Sequence, residues 1–331
     1  MKYQLSTLFC FLLVLALNNA NAQTDFPQAS ISNGIIKARI YLPDAEKGYY
    51  RGTRFDWSAN IPELEYKGHS YCSQWFANYN ATTHDAILGP VESFAPLGYD
   101  AATVGGHFVQ IGVGVLTKAE NVAYSPFKYY NISNSGNWKI DTKPNSIAFT
   151  HTLKDSVYSY KYTKTVTLVK DKAVMVIDHK LINTGNEAIE TNVYNHNLFV
   201  LDKQPTGPDA VTSFPFTLTA VAESAKGFGE DKLAMLKDKQ VLFNKVFSPG
   251  QSVYTLIQGY TSSNTDYDIK IENHHTGAAL RITCDKPMSK LAFWASPTIF
   301  SPEPFIDVKV APGETFNWQI KYELYTCAID K

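Results

Sequence analysis

The chain has 331 residues, 44% of them apolar, and its 30 Lys+Arg nearly balance 31 Asp+Glu for a formal net charge of −1. That apolar content supports a sizeable core and excludes a disordered chain, while the missing basic surplus excludes a phosphate-neutralising nucleic-acid binder. Charged residues are 18% and aromatics 13%, a balance that suits a β protein handling a neutral, hydroxyl-rich ligand, although sheets also enrich aromatics for packing alone.

Residues 1–22 read as an export signal. Lys2 is the short positive region, residues 8–17 form an apolar run, and Ala20-Asn21-Ala22 is a small-x-small cleavage site before Gln23. The run is too short to span a bilayer, and Cys10 lies inside it, which argues against a lipid anchor. The expectation is an exported protein, periplasmic or extracellular, with residues 23–331 as one β domain without a membrane span. Export leaves Cys72, Cys284 and Cys327; a Cys284–Cys327 disulfide is conceivable, and an odd count leaves one thiol over. No Cys/His cluster has zinc spacing, and the adjacent His274 and His275 point to opposite faces of a strand, so no metal site is expected.

Next along the chain comes Tyr49-Tyr50-Arg51-Gly52-Thr53-Arg54-Phe55-Asp56-Trp57. Read as a strand, it puts Arg54 and Asp56 on one face to bind hydroxyls, with Trp57 or Tyr50 stacking on a sugar ring; the alternative places the aromatics in the core. Gly89-Pro90-Val91-Glu92 and Gly105-Gly106-His107 offer Glu92 and His107 as ligand contacts. Period-two runs then follow at 148–153, 158–164, 166–169, 174–179, 268–271, 280–283 and 316–322. They are separated by turn signals such as Asn183-Thr184-Gly185-Asn186 and Ala311-Pro312-Gly313. Only 220–239 has a helical reading, and Gly227 and Gly229 interrupt it. Many strands without strand–helix alternation predict an antiparallel all-β sandwich or barrel. Four segments break the alternation with dense functional side chains: 48–60, 89–114, 191–202 and 292–307.

In the third of these, His196 lies between Asn195 and Asn197, as a general acid or base oriented by amides or as a core histidine. The stretch Tyr194-Asn195-His196-Asn197-Leu198-Phe199 resembles the Asn-His-x-x-Phe signature of the aldose 1-epimerases, or galactose mutarotases. Val310-Ala311-Pro312-Gly313-Glu314 followed by Trp318 and Tyr322 is similar to their Pro-Gly-Glu turn and last strand. The resemblance covers about 131–325. It implies a β-supersandwich of two large antiparallel sheets with a sugar in the cleft, no cofactor, and His196 as the acid that protonates the ring oxygen. The family's base is a Glu on a strand some twenty residues before the Pro-Gly-Glu turn. Here that region, 291–296, has Trp294 but no carboxylate. Glu303, held between Pro302 and Pro304 on a stiff extended segment, is the substitute, with Asp307 a weaker one.

Three functions remain open on the sequence. The first is sugar anomer interconversion by His196 and Glu303. The second is a lyase on uronate-containing glycans, with Arg54 neutralising the acid. The third is a non-catalytic carbohydrate-binding protein. The candidate site is therefore His196 and Glu303 as catalytic groups, with Arg54, Asp56, Glu92, His107, Asn195 and Trp294 contacting the ligand.

Overall fold

The computed structural model describes residues 26–329; the segment read as an export signal lies outside them. The described residues contain no α-helix. The stretch 220–239 is instead the strand Thr219–Ala220, a 3-10 turn Ala222–Ser224 and the strand Ala234–Lys237. Gly227 and Gly229 sit there at φ of 77° and 143°, which no helix accommodates.

Two large sheets are antiparallel throughout. The ten-stranded sheet runs Ala234–Lys237, Gln240–Phe243, Ala210–Ser213, Asp268–Asn273, Ala278–Cys284, Thr315–Thr326, Val174–Asn183, Tyr160–Leu168, Ser146–Leu153, Asn137–Lys143. The six-stranded sheet runs Thr219–Ala220, Val253–Gln258, Lys290–Ser296, Ile299–Val310, Ile189–Leu198, Gly89–Phe94. This is the supersandwich that the motif resemblance implies.

Parity decides what enters the layer between the sheets. In Tyr160–Leu168 every second side chain is buried, so Tyr160, Tyr162, Val166 and Leu168 join the main apolar cluster. Lys164 falls on the same face and is fully buried with them. The strand Gly89–Phe94 is buried on both faces. Its Phe94 joins the main cluster, while Val91 joins a second cluster with Tyr50, Phe55, Trp57 and Phe108 that covers the outer face of the six-stranded sheet.

The Asn183 turn does not close a hairpin. It carries the chain from Val174–Asn183 in the larger sheet to Ile189–Leu198 in the smaller. The Pro312 turn makes the return crossing from Ile299–Val310 to Thr315–Thr326. Asn183 ties the two crossings together: its N–H donates to Glu314 O (3.0 Å), Gly313 N–H donates to Asn183 O (3.0 Å), and its Nδ2 donates to Val310 O (2.8 Å). The Cys284–Cys327 pairing is corrected. Ala278 faces Thr326 and Cys284 faces Ile320, which puts the two cysteines at opposite ends of one ladder, roughly 20 Å apart at the rise of a strand.

Candidate functional site

The site occupies an opening in the six-stranded sheet. Pairing between Ile189–Leu198 and Ile299–Val310 stops at Tyr194 and Phe305 and resumes only as a single bridge between Phe199 and Phe300. Ser289 N–H donates to Phe305 O (2.8 Å), so odd-numbered residues turn their backbone groups toward Lys290–Ser296. Pro302 and Pro304, even-numbered, face Ile189–Leu198 and have no N–H to give, so the ladder cannot close. Side chains bridge the gap instead: Asn197 Nδ2 donates to Pro302 O (2.9 Å), and His196 Nδ1 meets Ser301 Oγ at 2.7 Å.

The pleat sends Tyr194, His196 and Leu198 outward together with Ser301, Glu303 and, from the next strand, Trp294. Of these, His196, Leu198, Glu303 and Trp294 meet Arg54 and Asp85 from the covering loops around a cleft of about 130 Å³, while Tyr194 and Ser301 contact Arg54 and His196. Its remaining walls are aromatic: Trp75, Phe127 and Tyr254. Trp75 crosses Trp294 edge-on at 5.5 Å, and His196 stands edge-on to Trp294 at 5.7 Å. Phe127, 61% exposed, forms the outer rim.

At the floor, His196 Nε2 lies 3.3 Å from Glu303 Oε1, both nearly buried. Burial pushes the Glu303 carboxyl up to about 7, with Arg54 pulling it down and Asp85 pushing it further up. Burial, helped by the Arg54 charge, pushes the His196 imidazole down to about 3. At neutral pH the imidazole is therefore neutral beside a carboxyl close to half-protonated. Arg54 is itself held in place: Nε and Nη2 donate to Tyr194 Oη (3.1 and 2.8 Å), Nη1 donates to Asp85, and its plane lies over Phe55. Burial opposes the Arg54 charge, but Tyr194, Asp85 and Glu303 keep the guanidinium firmly protonated.

Of the residues singled out from the sequence, His196, Glu303, Arg54 and Trp294 meet in this cleft. Asp56, Glu92, Asn195 and His107 do not. Asp56 and Glu92 have no exposed surface and point the other way, into the layer between the sheets, where both contact Lys164. Asn195 joins them, donating to Glu92 Oε1 (3.3 Å) and accepting from Tyr322 Oη (2.9 Å). Residues 49–59 are irregular rather than a strand, so Arg54 and Asp56 are not bound to share a face. Tyr50 and Trp57 are buried in the second cluster and cannot stack on a ligand. His107 is exposed on the strand His107–Gln110 of a separate three-stranded sheet. Asp307 lies exposed further along its strand, opposite Asn192. Asp85, Trp75, Phe127 and Tyr254 line the cleft from stretches without a motif, and Tyr194 and Ser301 support it through Arg54 and His196. Tyr194 and Ser301 carried a signal: each stands two residues from a candidate catalytic group on a strand, hence on its face.

A larger groove of about 500 Å³, lined by Ser32, 34–37 and 65–70, lies apart from the His196–Glu303 couple, and its His69 is paired with Asp202 at 2.8 Å. Among the described residues no group of three His, Cys, Asp or Glu is placed to hold a metal ion.

Glu303 makes a stability prediction. Its carboxyl titrates near 7 in the fold against an ordinary 4.5, so the native state holds the extra proton between those values, and stability falls as pH rises through that window. Above pH 7 the cost is complete, about 3 kcal/mol on an order-of-magnitude basis. Glu303→Gln should therefore unfold at higher urea than the parent at pH 8 and at the same urea at pH 4; equal midpoints at both pH values would refute the assignment.

No protein-family model matches the chain, and no curated protein matches it in sequence. Solved structures do match. A galactose mutarotase related enzyme from Lactobacillus acidophilus superposes with a TM-score of 0.55 at 11% identity, over 92% of this chain and 100% of that one. A galactose mutarotase-like protein from Clostridium acetobutylicum gives 0.55 at 10% identity, over 90% and 95%. An aldose epimerase homologue from C. elegans gives 0.52 at 13%, over 92% and 99%. At such identities the likeness is one of fold: the chain has the galactose mutarotase-like architecture over nearly its whole described length.

Proposed function

We propose that this chain, built on the galactose mutarotase-like fold, interconverts the anomers of a free sugar in the cleft between Trp294 and Arg54. The observation that carries the reading is the buried His196–Glu303 couple at 3.3 Å, set in an aromatic-walled cleft. Aromatic faces suit a pyranose ring, and a cleft of about 130 Å³ suits one ring rather than a chain, being well below the roughly 300–1,000 Å³ of sites for larger ligands.

The couple carries one exchangeable proton. Below about pH 7 Glu303 holds it and His196 is neutral, which reverses the acid and base roles that the motif resemblance implies. The protonated partner gives its proton to the ring oxygen while the other takes the proton of the anomeric hydroxyl. The C1–O5 bond breaks, C1–C2 rotates, and closure runs the same transfers backward to either anomer. A uronate-directed lyase fits less well, because the Arg54 guanidinium that would hold the uronate is already engaged by Asp85 and Tyr194. With the proposed export, the substrate would be a neutral sugar met outside the cytoplasm.

The test is an NMR time course of freshly dissolved α-glucose and α-galactose with the purified chain at several pH values. Anomeric equilibration should be accelerated, with a rate that is level below pH 7 and declines as pH rises through about 7. The sign follows from the proton count, because above that value the couple has lost its shared proton. No acceleration at any pH would overturn the enzyme reading, and a rate that rises through pH 7 would overturn the proton assignment.

A further inference from the structure

Behind the cleft, in the layer between the sheets, lies a cluster that the proposed chemistry does not use. Lys164, Asp56 and Glu92 have no exposed surface. Lys164 Nζ is 2.6 Å from Asp56 Oδ2 and contacts Glu92 Oε2 on its other side. Glu92 is oriented by His179 Nε2 (3.0 Å), whose ring lies flat on Trp318 at 4.3 Å. Asp56 is held by Ser58: the N–H donates to Oδ1 (2.9 Å) and Oγ lies 2.8 Å from Oδ2.

We propose that Lys164 and Asp56 condense into an intramolecular amide, with Glu92 carrying the proton. A dry core is a poor place for an ion triad, since removing charges from water costs several kcal/mol per ion even when they are paired. A neutral amide removes two of the three charges and leaves Glu92 alone, beside His179, to be compensated. The amine and the carboxyl are held in contact from two separate chain segments, with Glu92 on a third, so the step has the advantage of an intramolecular reaction between fixed partners. Burial raises the Asp56 carboxyl despite the opposing Lys164 charge, which favours the acid form the step requires. Lys164 is cationic in the resting triad because the two carboxylates outweigh burial, so one proton must first pass from Nζ to Asp56.

The balance is then simple. The Nζ lone pair attacks Asp56 Cγ, and the Ser58 N–H and hydroxyl steady the charge that develops on the carboxyl oxygens. Glu92 accepts a proton from the nitrogen and returns it to the departing hydroxyl, which leaves as water. One C–N bond forms, one C–O bond breaks, and nothing is oxidised or reduced. The product joins the segment that carries Arg54 to the strand Tyr160–Leu168 and so fixes one wall of the cleft.

The experiment is denaturing mass spectrometry and tryptic mapping of the purified full chain. The expected result is a mass lower than the sequence requires by one water, no cleavage after Lys164, and a branched peptide joining the fragments that contain Asp56 and Lys164. Lys164→Arg, which keeps the charge but not the amine, should show the uncondensed mass, as should Glu92→Gln. An unreduced mass with ordinary cleavage after Lys164 would overturn the proposal and leave an ion triad. That result is read from the parent protein alone, so a variant that fails to fold does not blunt the test.

Discussion

His196→Ala is expected to slow anomer interconversion by about 10²–10⁴-fold, the usual contribution of a positioned acid or base. Glu303→Gln should do the same, and the double variant should be little worse than either single one. The two groups share one proton at 3.3 Å, so removing either disables the same transfer, and such effects are not additive. Sugar affinity should change far less, because the aromatic walls Trp75 and Trp294 remain. NMR anomer kinetics and ligand titration on the same samples separate the two quantities. If both variants keep the parent's rate, the couple is a binding element and the catalytic reading fails. If affinity collapses with the rate, the groups hold the sugar rather than transform it.

Lys164→Met is expected to lower stability by about 3–5 kcal/mol, the range for stripping one partner from a buried ion cluster. Asp56 and Glu92 would be left facing each other with no exposed surface. As an ion, Lys164 together with His179 holds the Glu92 carboxyl down to about 2 against the effect of burial. Without Lys164 that balance reverses, and at least one carboxyl must take up a proton or draw in water. The effect is expected whether Lys164 is ionic or joined to Asp56, because either way its loss uncovers both carboxylates. Thermal melting should fall by roughly 5–8 °C for a chain of this size. Adding Asp56→Asn and Glu92→Gln should recover much of the loss, since a neutral cluster carries no uncompensated charge. A single variant that melts within a degree of the parent would show that the cluster is already solvated or neutral.

Strand parity was legible in the chain. The runs at 148–153, 174–179 and 316–322 lie on the strands Ser146–Leu153, Val174–Asn183 and Thr315–Thr326. The same parity puts Lys164 on the apolar face of its strand, a marker of a buried charge that was open to view. Where strand rules were applied to a segment that is not a strand, they misled: 49–59 is irregular, so Arg54 turns to the cleft and Asp56 to the core. Glu92 and Asn195 show the complementary error. Asn195 stands next to His196 and Glu92 lies opposite it on the adjoining strand, but each points to the other side of the sheet.

By itself the sequence determined the all-β antiparallel character of the protein and the local stiffness around Glu303. Both depend on neighbours: the period of apolar side chains selects strands, and two prolines without N–H groups interrupt a ladder wherever that strand is placed. Only the tertiary structure decided which candidates meet. The opening between Tyr194 and Phe199, the arrival of Asp85 and Trp75 from a loop without a motif, and the joining of Asp56, Glu92 and Lys164 in one dry cluster all depend on pairings between residues far apart in the chain. A parity rule tells which two faces a strand has, but not which one will be covered, and it is the covering that separates a cleft residue from a core residue here.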